Sequence, residues 1–222
     1  SQSAAVQEVH ADKHFIAFHP LNNALVYECN DGGIYVTSNG GTNWTNRSNG
    51  LGISQIYRIG VNQQLSNDVM CGLQDNGSKE LYNGTWTEQT GGDGMECIID
   101  YTNGNIMYAT YVNGLIYKTT DGGTNWTVIA QNNGAAGTAN EAGDWVTPYI
   151  MHPTVNTTLL VGKSQVYKTV NSGTSWSMLG FISGISGNII AMAYAPSNPN
   201  TIYVASASQV FKSVNGGANW NL

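Results

Sequence analysis

One eight-residue pattern occurs four times in the chain and constrains its fold more than any other feature. Each copy has Ser or Thr at its first position, Asp or Asn at its third, Gly at its fifth and Trp at its eighth. The copies span residues 37–44, 119–126, 169–176 and 213–220, and a degenerate copy lies at 82–86. Their five tryptophans follow one another at intervals of 42, 40, 50 and 44 residues. A period of this length, carried by short strands and tight turns, predicts a radial array of β-sheets.

Each period contains four strand-like segments separated by turns rich in Gly, Asn and Asp. This organisation predicts an all-β protein, a β-propeller of four-stranded antiparallel blades. Residues 1–222 are expected to form a single propeller domain or a propeller fragment. Five blades are visible, at about 9–48, 53–90, 94–131, 144–180 and 187–222.

The repeated pattern resembles the Asp-box, or BNR repeat, of sialidases, sortilin-type receptors and xyloglucan-cleaving propeller hydrolases. The family pattern is Ser/Thr, any residue, Asp, any residue, Gly, any two residues and Trp, and only Asp121 keeps the aspartate here. The resemblance implies a β-propeller, a secreted or cell-surface location, and a ring of seven or more blades, of which this chain would be a part. A fold of this kind hosts many activities, so the resemblance leaves the function open.

The repeated turns are interpreted as structural. An Asp or Asn side chain early in a turn accepts hydrogen bonds from its own downstream backbone, and the glycine supplies a positive φ. Each turn should therefore close a β-hairpin, with the tryptophan packed beneath it. The residues assigned to this role are Asn39, Trp44, Asp121, Trp126, Asn171, Trp176, Asn215 and Trp220.

The composition argues against several classes of function. Charged residues make up only 10% of the chain, and the net charge of -6 does not suit nucleic acid or anionic membranes. Arg47 and Arg58 are the only arginines, too few for the arginine cluster that sialidase chemistry implies. No apolar stretch is long enough to span a bilayer. The three cysteines are expected to be small buried side chains, and a Cys29–Cys71 bridge is left open.

The candidate site lies on one face of the predicted propeller. Loops that join the second and third strands of a blade share a face with the loops between blades. The turns formed by the eight-residue pattern, which we call box turns, lie on the opposite face. We call the first of these the loop face; it receives residues 30–33, 74–77, 91–96 and 131–144. The candidate ligand-binding residues there are Asp31, Gln74, Asn76, Glu96, Tyr111, Glu141 and Trp145.

Three aspartates on this face, Asp75, Asp93 and Asp144, are the candidate catalytic residues. Two carboxyl groups flanking a glycosidic bond are about 5–5.5 Å apart in retaining hydrolases and about 6.5–9.5 Å apart in inverting ones. Tyr111 and Trp145 would then stack on a sugar. The structural alternative is that Asp75 forms an Asx turn and Asp93 caps its own glycine-rich loop.

The favoured function is a secreted or cell-surface recognition module that binds a glycan or protein partner through the loop face. The alternatives are a glycoside hydrolase of the xyloglucanase-like propeller type and a structural spacer in a large adhesin. No cofactor or metal site is expected, and calcium is only weakly indicated because the spacing Asp-x-Asp-x-Asp is absent. Neither nucleic acid nor membrane insertion is expected; further blades of the same polypeptide or a partner chain could complete the ring.

Overall fold

The computed structural model describes residues 8–52 and 54–222. The chain is all-β, with nineteen strands and one short 3-10 turn in this described part, and none of it forms a helix with the length and apolar character needed to cross a membrane. Five antiparallel sheets follow one another along the sequence as propeller blades. The chain divides into two compact units, Ser1–Ser54 and Gln55–Leu222, which we call unit 1 and unit 2.

Unit 1 holds the first blade. Its sheet has the strand order β1-β2-β3-β4, so each strand pairs with the next one along the chain. The strands are β1 (Lys13–His19), β2 (Asn22–Asn30), β3 (Gly33–Thr37) and β4 (Thr45–Asn46).

Unit 2 holds four further blades with the same sequential pairing. The second blade consists of β5 (Ile56–Val61), β6 (Asp68–Leu73), β7 (Gly77–Tyr82) and β8 (Thr85–Thr90). The third consists of β9 (Cys97–Ile99), β10 (Met107–Tyr111), β11 (Leu115–Thr119) and β12 (Thr127–Ala130). The fourth consists of β13 (Tyr149–Met151), β14 (Leu159–Gly162), β15 (Val166–Thr169) and β16 (Ser177–Met178).

The fifth blade is a three-stranded sheet of β17 (Ala191–Ala195), β18 (Asn198–Ala205) and β19 (Val210–Ser213). The fourth strand that the sequence predicted for this blade is reduced to one antiparallel bridge between Lys212 and Asn221. The four-stranded description therefore holds for four of the five blades.

The core of unit 2 lies between neighbouring sheets. Strand β14 shows why: Leu159 and Val161 pack towards the third blade, whereas Leu160, which points to the other side of the sheet, packs towards the fifth. A third apolar cluster, which includes Met70 and Met107, joins the second blade to the third. The three cysteines are free thiols, so the bridge left open between Cys29 and Cys71 is not formed.

The four eight-residue turns share one hydrogen-bond pattern. The hydroxyl of the first residue donates to the side-chain oxygen of the third residue and accepts the N–H of the fifth. The side-chain oxygen of the third residue also accepts the N–H of the seventh. In the first turn Thr37 donates to Asn39 over 2.9 Å, and Gly41 and Asn43 each complete the pattern at 3.0 Å. The other three turns repeat these contacts. One acceptor oxygen suffices for these shared contacts, so Asn supports them as Asp does, and the second oxygen of Asp121 also accepts the Asn125 side-chain amide over 2.7 Å.

Three of the tryptophans of these turns also donate hydrogen bonds to main-chain carbonyls. The Trp126 indole N–H donates to a carbonyl of its own turn over 3.1 Å. The Trp176 indole instead donates to the Ile129 carbonyl over 2.8 Å, and that of Trp220 to the Leu179 carbonyl over 3.2 Å. Ile129 and Leu179 belong to the preceding blade in each case, so these two tryptophans join consecutive blades.

The degenerate copy of the pattern forms a different turn. Asn83 and Gly84 both have positive φ, at 49° and 79°, and they connect β7 to β8 directly. Two consecutive residues with positive φ are typical of a type I′ hairpin. Trp86 lies on β8 with 56% of its surface exposed, so it does not join blades as Trp176 does.

Candidate functional site

The loops that carry Asp75 and Asp93 meet at the loop face of unit 2. The Asp93 carboxylate accepts the Asp75 N–H over 2.8 Å, and the Gly77 N–H donates to the Gly92 carbonyl over 2.7 Å. Asp75 has a φ of 59°, in the left-handed region that Asp tolerates better than most residues. Asp93 therefore caps the neighbouring loop, rather than its own glycine-rich loop as the structural alternative assumed.

Close packing of main chain against main chain makes this seam rigid. The Gly94 N–H donates to the Leu73 carbonyl over 2.9 Å. A Cβ atom at Gly94 would lie 2.2 Å from the Gly77 carbonyl oxygen, so a larger residue there would force the two loops apart. The glycines beside Asp93 are thus required by the approach of the two blades.

Glu96 lies near this seam and forms an ion pair with Arg58. The Arg58 Nε atom is 3.4 Å from a Glu96 carboxylate oxygen, and the Glu96 side chain is largely buried while that of Arg58 is about half exposed. Burial raises the pKa of Glu96 to about 7, although Arg58 opposes the shift. A carboxyl group that titrates near neutral pH can both donate and accept a proton, as general acid–base catalysis requires.

Neutral polar groups surround Gln74 and Asn76 in the same loop. The Tyr57 hydroxyl donates to the Gln74 side-chain carbonyl over 2.7 Å. The Asn76 side-chain amide donates to the Gln74 main-chain carbonyl over 3.1 Å. These contacts hold both amide side chains in fixed positions.

The two candidate aromatic residues flank a second hydrogen-bonded seam. The Tyr111 ring covers Gly92, where a Cβ atom would lie 2.6 Å from a ring carbon. Two residues further on, the Asn113 N–H donates to the Trp145 carbonyl over 3.2 Å, and the Gly143 N–H donates to the Asn113 carbonyl over 2.9 Å. These bonds fix the backbone at Trp145, whose side chain remains 44% exposed.

The Glu141 carboxylate is built into the longest loop. It accepts hydrogen bonds from the Gly137 N–H at 2.6 Å, from the Tyr167 hydroxyl at 3.0 Å, and from both the N–H and the hydroxyl of Ser164. Burial alone would raise the pKa of Glu141, but these hydrogen bonds outweigh burial and lower it. Both oxygens of the Glu141 carboxylate therefore already accept hydrogen bonds from the protein.

Lys163 is a buried residue that sequence reasoning did not single out. Its ammonium group donates to the carbonyls of Gly114, Gln131 and Glu141 at 3.1, 2.6 and 2.6 Å. Burial lowers its pKa to about 8, although the Glu141 charge opposes the shift. A single lysine in a connecting loop is normally exposed, and no local signal in the sequence indicates that three distant carbonyls converge on it.

The remaining candidate acids, Asp144 and Asp31, make other contacts. The Asp144 carbonyl accepts the Thr147 hydroxyl over 2.7 Å at the end of the long loop, and the residue is half-buried. Asp31 belongs to unit 1, where its carboxylate pairs with the His14 ring and raises the pKa of that histidine. The structure thus brings Asp75 and Asp93 together and describes Asp31 in a separate unit.

Comparison with known proteins identifies the fold. No family model and no curated protein matches the chain. Similar solved structures include a GH74 enzyme from Niastella koreensis, with 22% identity and a TM-score of 0.57 over 94% of this chain and 31% of that one. The GH74 xyloglucanase from Xanthomonas campestris has 13% identity and a TM-score of 0.55, covering 93% of this chain and 37% of that one.

An auxiliary nutrient binding protein from Bacteroides thetaiotaomicron is also similar, with 10% identity and a TM-score of 0.53, covering 95% of this chain and 56% of that one. The chain spans about a third of the length of the two GH74 enzymes. At these identities the likeness concerns the fold, and the chain has the β-propeller fold that these proteins share.

Proposed function

We propose that the chain is a secreted or cell-surface recognition module that binds a glycan through the loop face of unit 2. The observation that carries the proposal is the exposed Trp145 side chain on a backbone held by Asn113 and Gly143. An exposed indole on an ordered backbone offers a flat apolar surface with a polar N–H, which suits the alternating apolar and hydroxyl faces of a sugar.

The chemistry around Gln74 supports a neutral, hydroxyl-rich ligand. Amide and phenol groups of Gln74, Asn76 and Tyr57 can exchange hydrogen bonds with hydroxyls, whereas the carboxylates of Asp93 and Glu141 accept bonds from the protein. Because hydrogen bonds already order these loops, little conformational entropy is lost when a ligand binds. Two similar structures are named as a xyloglucanase and a nutrient binding protein, which makes xyloglucan oligosaccharides the first ligands to test.

The alternative of a glycoside hydrolase is favoured by one observation, the largely buried Glu96 carboxyl group close to the loop of Asp93, where burial raises the pKa of Glu96 to about 7. A protonated carboxyl group at neutral pH can donate to a leaving oxygen, and Asp93 beside Asp75 would then supply the second carboxyl group. In this alternative Glu96 is the acid and Asp93 is the base or nucleophile.

Calorimetric titration of the full chain with xyloglucan oligosaccharides, preceded by a glycan array, tests the proposal. We expect Trp145→Ala to weaken binding about tenfold or more, because a stacking surface is lost. Trp86→Ala is the matched control, since Trp86 is also exposed but lies on β8 outside the loop face. If no glycan binds, or if both variants bind like the parent chain, the proposal is wrong.

The same mixtures decide between binding and hydrolysis when new reducing ends are measured. A recognition module leaves the oligosaccharides intact. Turnover that is abolished by both Glu96→Gln and Asp93→Asn, while Trp86→Ala retains it, would replace the binding proposal with the hydrolase.

A further inference from the structure

A polar cavity of about 350 Å³ lies between the second and third blades of unit 2, at the end that carries the box turns. One wall comes from β6 and β7 of the second blade and from the turn between β5 and β6. The other comes from the turn between β9 and β10 and from the box turn of the third blade, where Gly122 lies. Its polar lining includes Asn62, Asp68, Glu80, Tyr82, Asn103 and Asn105.

Two acidic side chains point to the same side of the sheet in this cavity. Asp68 pairs with Tyr82 across β6 and β7, and Glu80 pairs with Met70, so the two acids are diagonal neighbours two residues apart in register. Side chains two residues apart on a strand share a face. Asp68 is 4% exposed and Glu80 is 8% exposed, so both are taken out of bulk water.

The protein satisfies these two carboxyl groups only in part. One Asp68 oxygen accepts the Asn62 amide over 2.6 Å, and one Glu80 oxygen accepts the Gln89 amide. The other Asp68 oxygen is buried and has no hydrogen-bond partner among the described residues. The ion pairs of acidic groups in residues 8–52 and 54–222 involve Asp31, Glu96 and Glu88 rather than these two acids.

Two buried acids without a positive partner are costly, because burial removes the water that stabilises their charges. Burial raises the pKa of Glu80 to about 7, and both the charge of Asp68 and a hydrogen bond between the two carboxyl groups add to the shift. When both acids are ionised that hydrogen bond is lost, and a cation held between them would compensate for both charges.

We propose that this cavity binds a calcium ion, with Asp68 and Glu80 as its charged ligands. Calcium takes six to eight oxygen ligands in flexible geometry, including carboxylates, amide or main-chain carbonyls and water. The unpartnered Asp68 oxygen would gain a ligand bond, and Asn103 and Asn105, which line the same cavity, are residues that could supply neutral oxygen ligands. Magnesium demands a tighter octahedral arrangement, which a partly open cavity of this size suits less well.

The two walls of the cavity are held close to each other by local packing. A Cβ atom at Gly104 would lie 2.4 Å from the Asn62 side-chain amide and 3.6 Å from the Asp68 carboxylate. The Gln64 side chain also donates to the Thr102 carbonyl over 3.1 Å. A calcium ion in this position would cross-link the second blade to the third, and it lies at the opposite end of the blades from the proposed glycan site.

Isothermal titration of the full chain with calcium chloride at pH 8, after dialysis against EDTA, tests the site. We expect one ion per chain, and a rise in Tm of about 5–10 °C at a calcium concentration about 100 times the Kd. Both signals should disappear in Asp68→Asn and in Glu80→Gln. These amide variants remove the repulsion between two buried acids, so they should fold in EDTA at least as stably as the parent chain.

Glu88→Gln is the matched control, because it removes one negative charge from an exposed side chain that pairs with Lys79 and does not line the cavity. It should bind calcium like the parent chain. The proposal is overturned if calcium up to about 10 mM, well above the weakest dissociation constants of extracellular sites, gives neither heat nor a rise in Tm. It is equally overturned if Asp68→Asn and Glu80→Gln, shown to be folded by circular dichroism, retain the binding.

Discussion

Two pairs of acids at opposite ends of unit 2 have opposite surroundings. At the loop face, the Asp93 and Glu141 carboxylates accept main-chain N–H groups, and hydrogen bonds keep the pKa of Glu141 low. At the box-turn end, Asp68 and Glu80 share a cavity with too few donors, and the pKa of Glu80 is raised. For these four acids, the number of hydrogen-bond donors within reach determines whether the carboxyl group is held by the protein or keeps an oxygen without a partner.

The supply of donors differs because the two ends use their main chain differently. In a box turn, the first hydroxyl and the Asp or Asn oxygen take up the free N–H groups, as Thr119 and Asp121 do for Gly123 and Asn125. The irregular loops at the other end have N–H groups left over, and side chains such as Asp93 and Glu141 accept them. Asp68 and Glu80, on the strands beside these turns, find few donors, whereas Asp100 in the nearby turn after β9 accepts three hydrogen bonds.

The largest effect is expected for Glu141→Gln, which tests the donor-rich end. The amide would turn a donor towards Gly137, Ser164 or Tyr167 and leave the buried Lys163 without its nearby charge. Loss of one member of such a buried network should lower the free energy of unfolding by about 3 kcal/mol. Urea denaturation at pH 7 measures this change.

Glu88→Gln is the control for this prediction. Glu88 pairs with Lys79 over 2.6 Å but is well exposed, so its loss should change the free energy of unfolding by less than about 1 kcal/mol. If the two substitutions lower the free energy of unfolding equally, the hydrogen bonds of Glu141 stabilise the fold no more than an exposed ion pair does.

The second prediction concerns the donor-poor end and the pH dependence of stability. Glu80 binds its proton more tightly in the folded chain, with a pKa of about 7, than in the unfolded chain, where the ordinary value is 4.5. The folded state therefore holds more protons between these values, and its stability falls as the pH rises. In EDTA, the Glu80 contribution should fall by about 2 kcal/mol between pH 5 and pH 7.5.

Glu96 also has a raised pKa of about 7 and contributes in the same direction, so the Glu80 contribution is the difference between the parent chain and Glu80→Gln. Denaturation curves at several pH values give that difference. If the free energy of unfolding changes with pH in the same way in the parent chain and in Glu80→Gln, the pKa of Glu80 is not raised in the folded chain. Calcium at pH 7.5 should restore the stability of the parent chain alone.

The fold was largely predictable because its signal is local and repeated. Each copy of the pattern contains the hydroxyl, the acceptor and the glycine that its turn needs. Four residues of one copy, such as Thr37, Asn39, Gly41 and Asn43, are therefore enough to predict a complete turn. In the fifth blade the residues after Trp220 contribute one bridge, between Lys212 and Asn221, and Leu222 is the last residue of the sequence.

The candidate site was predictable only to the level of loops. The spacing placed Asp75 and Asp93 on one face, and the structure joins them, but no pattern indicated that one caps the other. Lys163 and the Asp68–Glu80 pair were missed because their environments are made by residues 6 to 49 positions away, such as Gly114 and Asn62. Burial of a charged group is a tertiary property, and an alternating strand pattern does not reveal it.

The smallest expected effect concerns Asp93 and separates its structural role from a catalytic one. Asp93→Ala removes the acceptor of the Asp75 N–H and should lower the free energy of unfolding by about 1 kcal/mol. Asp93→Asn keeps an acceptor oxygen in the same place, so its stability should stay within about 0.5 kcal/mol of the parent chain. If Asp93 only caps the neighbouring loop, Asp93→Asn also leaves glycan binding unchanged, because the loop keeps its shape. A stable Asp93→Asn variant that loses turnover would instead assign the carboxylate a chemical role, since the amide preserves the hydrogen bond but cannot act as a base or nucleophile.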